Sequence, residues 1–174
     1  MYNFDEVIDR RHSDSSKWNA FESDVLPLWV ADTDFKSPEA VMQALKERVD
    51  HGVFGYPQHS PALIEAAVDW MDQRHAWKIT PDQVQLVPGV IAGFNLTAQA
   101  FANGGKVLVQ TPAYPPFLHV AENASAEMLV NTLLPGRDQY EIDFDAFEAA
   151  AASGVDVFML CNPQNPSGRV FTRS

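Results

Sequence analysis

The sequence predicts an α/β fold built on a mainly parallel sheet, and three observations predict it. From Thr80 onward, short β-rich runs alternate with helical ones. Upstream of them the same helix-start signal occurs twice, and a hydrophobic content of 46% supplies enough apolar material for a sizeable core. Strands that alternate with helices pair in parallel through crossover connections. At 174 residues the chain is one ordinary domain or somewhat more.

Residues 1–36 read as an irregular arm. His12 to Asn19 is polar and serine-rich, and Leu26 to Ala31 is a short apolar extended piece closed by Asp32-Thr33-Asp34. Ser37-Pro38-Glu39 then supplies an N-cap, a first-turn proline and an early acid. Val41, Met42, Leu45 and Val49 follow at helical spacing until Gly52. The loop through Gly55-Tyr56-Pro57 leads to Ser60-Pro61, which opens a second helix through Leu63, Ile64, Ala67, Val68 and Met71 to about His75. These two helices and their loop make up residues 37–79.

In residues 80–174, Gln83–Val87, Lys106–Gln110, Glu127–Thr132 and Val155–Leu160 read as strands. The helices between them are Ala92–Ala102, stopped by Gly104-Gly105, then Pro116–Asn123, and Phe144–Ala152 with Asp143 as N-cap. After Gly168, Thr172-Arg173-Ser174 offers cap residues for a helix that does not follow, so the chain is expected to stop inside a larger domain whose remaining strands are missing.

Composition narrows the function. Twelve Lys plus Arg against 23 Asp plus Glu give a net charge of −11, which repels phosphate backbones and anionic lipid, so nucleic acid and membrane surfaces are poor partners. A single cysteine, Cys161, forms no internal disulfide and fits a reducing cytoplasm. The acidic start and the lack of a long apolar run argue against a signal peptide and a membrane span. The five histidines are too scattered for a metal site. Cys161 reads as a small core residue, and Asp138, Glu141, Asp143, Asp145 and Glu148 as the solvated face and cap of a surface helix.

Ligands of open α/β sheets sit beyond the carboxyl ends of the strands. The first such exit reads Pro88-Gly89-Val90-Ile91-Ala92-Gly93. Gly89 allows a sharp turn, and the free amides of Val90 to Ala92 open a helix that can hold a phosphate; alternatively, the glycines serve a tight turn and close helix packing. The second exit, Thr111-Pro112-Ala113-Tyr114-Pro115-Pro116-Phe117, presents an aromatic face between prolines or simply packs it. For the third, after Asn131-Thr132-Leu133, the sequence suggests no role. The fourth, Cys161-Asn162-Pro163-Gln164-Asn165-Pro166-Ser167-Gly168, forces a non-helical loop with two short amides at its rim.

Together with Leu28-Trp29-Val30-Ala31-Asp32-Thr33-Asp34-Phe35 and Gly55-Tyr56-Pro57, these exits resemble, in the same order, the pyridoxal-phosphate-dependent class I/II aminotransferase superfamily. They are most similar to the cystathionine β-lyase-like C–S lyases of the MalY/PatB group. The resemblance spans nearly the whole chain. The Trp-Val-Ala-Asp stretch and the Asn-Pro-Gln-Asn-Pro-Ser-Gly loop are its specific parts. It implies the aspartate aminotransferase-like fold, present as an N-terminal arm and an incomplete, mostly parallel large-domain sheet.

The resemblance further implies pyridoxal 5′-phosphate as cofactor. Its phosphate would lie at Gly89, Val90 and Ile91, Tyr114 would stack on its ring and Asn165 would bond its 3-oxygen. Tyr56 would reach the partner's phosphate in a homodimer. Ala31 and Asp32 would lie at the substrate, a small sulfur-containing amino acid, unless Asp32 with Trp29 simply anchors the arm. The implied activity is C–S β-lyase, with aminotransferase as the catalytic alternative.

No catalytic residue of the family falls within the chain. Its Schiff-base lysine lies beyond Ser174, and none of Lys17, Lys36, Lys46, Lys78 and Lys106 occupies that position. A non-catalytic, truncated or interaction chain is therefore the second hypothesis, since some relatives modulate a transcription regulator by contact. An unrelated nucleotide or methyl-donor binder is disfavoured because Pro115-Pro116-Phe117 lacks a preceding Asn or Asp.

Overall fold

The computed structural model describes residues 3–58 and 60–172, and its contacts divide the chain into two compact units, Met1–Leu63 and Ile64–Ser174. In the first unit, α1 (Ser16–Asn19) is a single turn, begun where the Ser15 hydroxyl accepts the Trp18 N–H at 3.4 Å. Leu26–Ala31, expected to be extended, joins no ladder and bends at Trp29 and Val30, because this unit contains no strand among the described residues for it to pair with.

The next helix, α2 (Glu39–His51), follows the expected start and stop, and Gly52 closes it at φ +73°. Its cap is Pro38, not Ser37. Pro38 is itself the last extended residue (φ −53°, ψ 143°), so the Ser37 hydroxyl stands one residue too early to reach the first-turn amides. Val41, Met42, Leu45 and Val49 form the predicted stripe, yet they stay 37% to 65% exposed. The third helix, α3 (Pro61–His75), begins in the first unit and continues into the second.

After α3 the second unit continues with a 3₁₀ turn at Pro81–Gln83, where Thr80 and Gln83 cap each other. The strand expected over Gln83–Val87 does not form. Val84 is extended (φ −103°, ψ 112°), but among the described residues no backbone lies beside this segment to complete a ladder, and a strand exists only as a pairing. Next come α4 (Val90–Phe101), β1 (Lys106–Thr111), a 3₁₀ turn (Pro115–His119) and α5 (Val120–Asn123). The single helix expected over 116–123 is thus split, its start tightened by an i→i+3 bond from the Phe117 N–H to the Tyr114 carbonyl at 2.9 Å. The chain continues through β2 (Glu127–Thr132), the short pair β3 (Leu134–Pro135) and β4 (Tyr140–Glu141), α6 (Phe144–Ala152) and β5 (Val157–Met159). Asp143 caps α6 as expected, its carboxylate accepting the Ala146 N–H at 2.9 Å.

The sheet has the order β2-β1-β5, and both pairings are parallel. Its alternation sorts side chains by face. Val107 and Val109 join Ala98 of α4, Ala102 at its C-terminal cap, and Val120, Ala121 and Ala124 around α5 in one core. Leu108 and Gln110 take the opposite face. There Gln110 Nε2 donates to Asn131 Oδ1 at 3.0 Å, and Asn131 Nδ2 donates to the Asp143 carbonyl at 3.1 Å, which ties β1, β2 and the cap of α6 together. Among the described residues both outer strands are open edges of the kind folded proteins normally cover, and Met128, Val130 and Phe158 on them remain 37% to 46% exposed. Among the described residues no helix is long and apolar enough to cross a membrane.

Candidate functional site

Three loops of the second unit meet at one end of the sheet. β1 and β5 are parallel, so the loops that leave them emerge on the same side. α4 runs back to the start of β1, which puts its N-terminus at that side as well. Gly89 takes φ +127° and ψ 158°, a conformation glycine alone adopts without strain. The first helical bond is Gly93 N–H to the Gly89 carbonyl at 2.9 Å, so the amides of Val90, Ile91 and Ala92 have no acceptor among the described residues. Val90 is 82% exposed, leaving these donors and the positive end of the helix open to an anion. Gly93 serves packing: a Cβ there would stand 3.1 Å from Val87. The turn at Gly89 and the close packing at Gly93 are thus both present, and the Gly89 turn leaves the helix amides beyond it open.

Tyr114 begins the 3₁₀ turn and packs edge-on against Phe117 with centroids 6.4 Å apart, and Phe117 packs edge-on against Phe94 of α4 at 4.9 Å. This aromatic chain fastens the second exit loop to the first turns of α4. Tyr114 keeps a partly exposed face.

In the fourth loop the two asparagines part company. Asn162 is engaged, donating to the Phe171 carbonyl at 3.2 Å and accepting the Phe171 N–H at 3.1 Å. Asn165 is exposed; its backbone N–H meets Cys161 Sγ at 3.4 Å, while its carboxamide has no partner among the described residues. Cys161 itself is half-buried in this loop and is not a core residue, because β5 ends two residues before it. Gln164, whose side chain the sequence does not single out, is buried and donates to the Pro112 carbonyl at 2.6 Å.

The arrangement is an open shelf. Two concave surfaces of this unit lie apart from Val90 to Ala92 and Tyr114, one between the β3–β4 hairpin and Ser167–Val170 at the end of the fourth loop, another around Trp70 and Trp77. Lys106, at the first residue of β1, sits at the opposite end of the sheet with its ammonium on the Ser153 carbonyl at 2.9 Å. Among the described residues no three His, Cys, Asp or Glu side chains converge as a metal site.

The first unit carries the other predicted residues. Tyr56 is fully exposed and Ala31 is exposed. Asp32 pairs with Arg10 at 2.7 Å, which makes it an anchor of the arm. Around it is a clamp that sequence reasoning missed: Asp34 accepts Lys17 Nζ at 2.6 Å, Trp18 Nε1 at 2.7 Å and Arg10 Nη1 at 2.7 Å. The Lys17 ammonium first, then the Trp18 indole N–H and the Arg10 guanidinium, hold the Asp34 carboxyl well below the usual carboxylate range. The available signal was an acidic pair that closes an apolar segment opposite two basic residues of the arm.

A group whose folded pKa lies below its unfolded value of about 3.9 stabilises fully above that value and loses the contribution as pH falls through the folded one. Limited proteolysis between residues 10 and 34 should therefore be as slow at pH 5 as at pH 7. Asp34→Asn, which removes the charge, should be cleaved several-fold faster at both; equal cleavage of variant and parent would remove the clamp's role.

The sequence profile described as aminotransferase class I and II matches residues 23–174. The chain is 42% identical to cystathionine beta-lyase PatB of Bacillus subtilis, over 98% of this chain and 46% of that protein. Among solved structures it superposes on OvoB with a TM-score of 0.89 and 41% identity, over 99% of this chain and 46% of the other. It also superposes on the PLP-bound C–S lyase from Staphylococcus hominis with a TM-score of 0.88 and 30% identity, over 98% and 45%. The chain spans about half the length of the relatives it matches.

Proposed function

The chain belongs to the family of class I and II aminotransferases, and from that premise we propose that it forms the phosphate-binding part of a pyridoxal-phosphate-dependent C–S β-lyase. Its fold is that of the pyridoxal-phosphate-dependent aminotransferases. The proposed reaction is α,β-elimination of a small sulfur-containing amino acid of the cystathionine type, in a cytoplasmic homodimer. The observation that carries the proposal is that the loops bearing the free helix amides at Val90 to Ala92, the Tyr114 ring and the Asn165 carboxamide, which has no partner among the described residues, leave the same end of the sheet. A phosphate, an aromatic ring and a ring oxygen are what those three groups suit.

When bound, the cofactor supplies the electron sink for the negative charge left at the substrate Cα as its proton departs. This chain's residues bind and orient. Gly89, Val90 and Ile91 hold the phosphate through amides whose charge-assisted bonds are the stronger kind. Tyr114 covers one face of the ring, and Asn165 donates to the 3-oxygen. Tyr56, with its phenol free in solvent, reaches the phosphate of the partner subunit. Ala31 and Asp32 enter the proposal as substrate contacts through the resemblance to the C–S lyases, while within the arm Asp32 holds Arg10. Loss of the β-thiolate leaves an enamine that water converts to pyruvate and ammonia. The Schiff-base lysine, in sequence outside these residues, completes the proposal; the coverage of about half of each relative supports it.

The test is pyruvate release from L-cystathionine by the full-length protein without an added keto acid. Release at a rate that 2-oxoglutarate does not alter is the expected result. Glutamate formed from 2-oxoglutarate with no pyruvate would replace the proposal with the aminotransferase. The 174-residue chain alone should release none, and borohydride should trap no cofactor on any one of its five lysines; a specific adduct there would overturn the assignment of the lysine.

A further inference from the structure

The exit loops of β1 and β5 are joined by Gln164. The last residue pair between those strands is Val109 with Met159, so past it the sheet no longer sets their spacing. Both main-chain groups of Gln164 are used within its own loop, the N–H on the Arg169 carbonyl and the carbonyl on the Gly168 N–H, each at 2.7 Å. Its side chain, 2% exposed, reaches across to the Pro112 carbonyl at 2.6 Å. Pro112 lies two residues before Tyr114, and Gln164 lies immediately before Asn165. A buried carboxamide is costly unless bonded, and Oε1 of Gln164 has no partner among the described residues. The Nε2 bond to Pro112 is thus what orients this side chain and, through it, the backbone that carries Asn165.

We propose that Gln164 is a positioning residue that sets the Asn165 carboxamide against the Tyr114 loop, an inference that rests on the reading of both residues as cofactor contacts. The test is titration of pyridoxal phosphate into the full-length apoprotein, followed by tryptophan fluorescence, with melting temperature recorded beside it. Gln164→Met keeps the length and removes the donor. Gln164→Asn keeps the amide and falls one methylene short of Pro112. Either variant that melts with the parent should raise Kd about fivefold to twentyfold, and the same change made in an Asn165→Ala background should cost less than about twofold, since the positioned group is gone. A merely structural role would cost the same in both backgrounds, and that result, or an unchanged Kd in both single variants, overturns the proposal. If Asn165→Ala itself leaves Kd unchanged, the reading of the site fails instead, and the inference with it.

Discussion

Gly89→Val in the full-length protein should raise the Kd for pyridoxal phosphate about tenfold to a hundredfold, with a much smaller change in melting temperature. A Cβ at Gly89 would meet nothing within 4 Å, so the branch point of the new side chain has room. The cost is conformational. At φ +127° and ψ 158° a β-branched residue is strained by roughly 1–3 kcal/mol, and the simplest relief is rotation of the peptide units around it. That rotation swings the Val90 and Ile91 amides off the phosphate. Losing one or two charge-assisted bonds of about 1.4 kcal/mol each gives the stated range. Competition by inorganic phosphate, read in the same titration, should weaken in parallel. An unchanged Kd would show that the phosphate lies elsewhere.

Leu108→Ala should lower stability by about 3 kcal/mol, the usual cost of such a truncation at a site that cannot collapse. Leu108 is fully buried and stands in register between Leu129 of β2 and Phe158 of β5. Phe158 in turn packs edge-on against Phe147 of α6 with centroids 5.0 Å apart. The sheet on either side is pinned by its hydrogen bonds, so the cavity stays open. Urea denaturation followed by far-UV circular dichroism measures the loss; a shift below about 1 kcal/mol would mean that the Leu108 face of the central strand is not tightly packed.

What could be read ahead of the structure was local. The Asp143 cap, the Gly52 stop and the Gly89 turn each depend on a residue and its immediate neighbours, and all three sit where the sequence places them. The strand expected at Gln83–Val87 did not form, although its composition suits one. Gln83 is taken up by the 3₁₀ turn, and Val84 is extended, but pairing needs a second backbone, and composition says nothing about whether one lies alongside. The Asp34 clamp escaped for a related reason: its partners are 16 to 24 residues away along an irregular arm with no periodicity to align them.

By itself the sequence determined the alternation of strand and helix, hence the parallel sheet, and with it the end of that sheet on which the unusual loops had to emerge. It also marked Gly89, Tyr114 and the two Asn-Pro pairs as candidates, because glycine, proline and asparagine act on the backbone over one or two residues. Tertiary structure alone decided which of those groups remain available. Asn162 and Asn165 are the same residue type in the same local pattern, yet the Asn162 carboxamide is committed to Phe171 and that of Asn165 has no partner among the described residues. Likewise Gln164, within the same loop, became the tie to a carbonyl 52 residues away. A hydrogen bond is decided within about 3 Å, and distances of that order between remote segments are set only when the core of Val107, Val109, Ala98 and Val120 closes and brings the loops together.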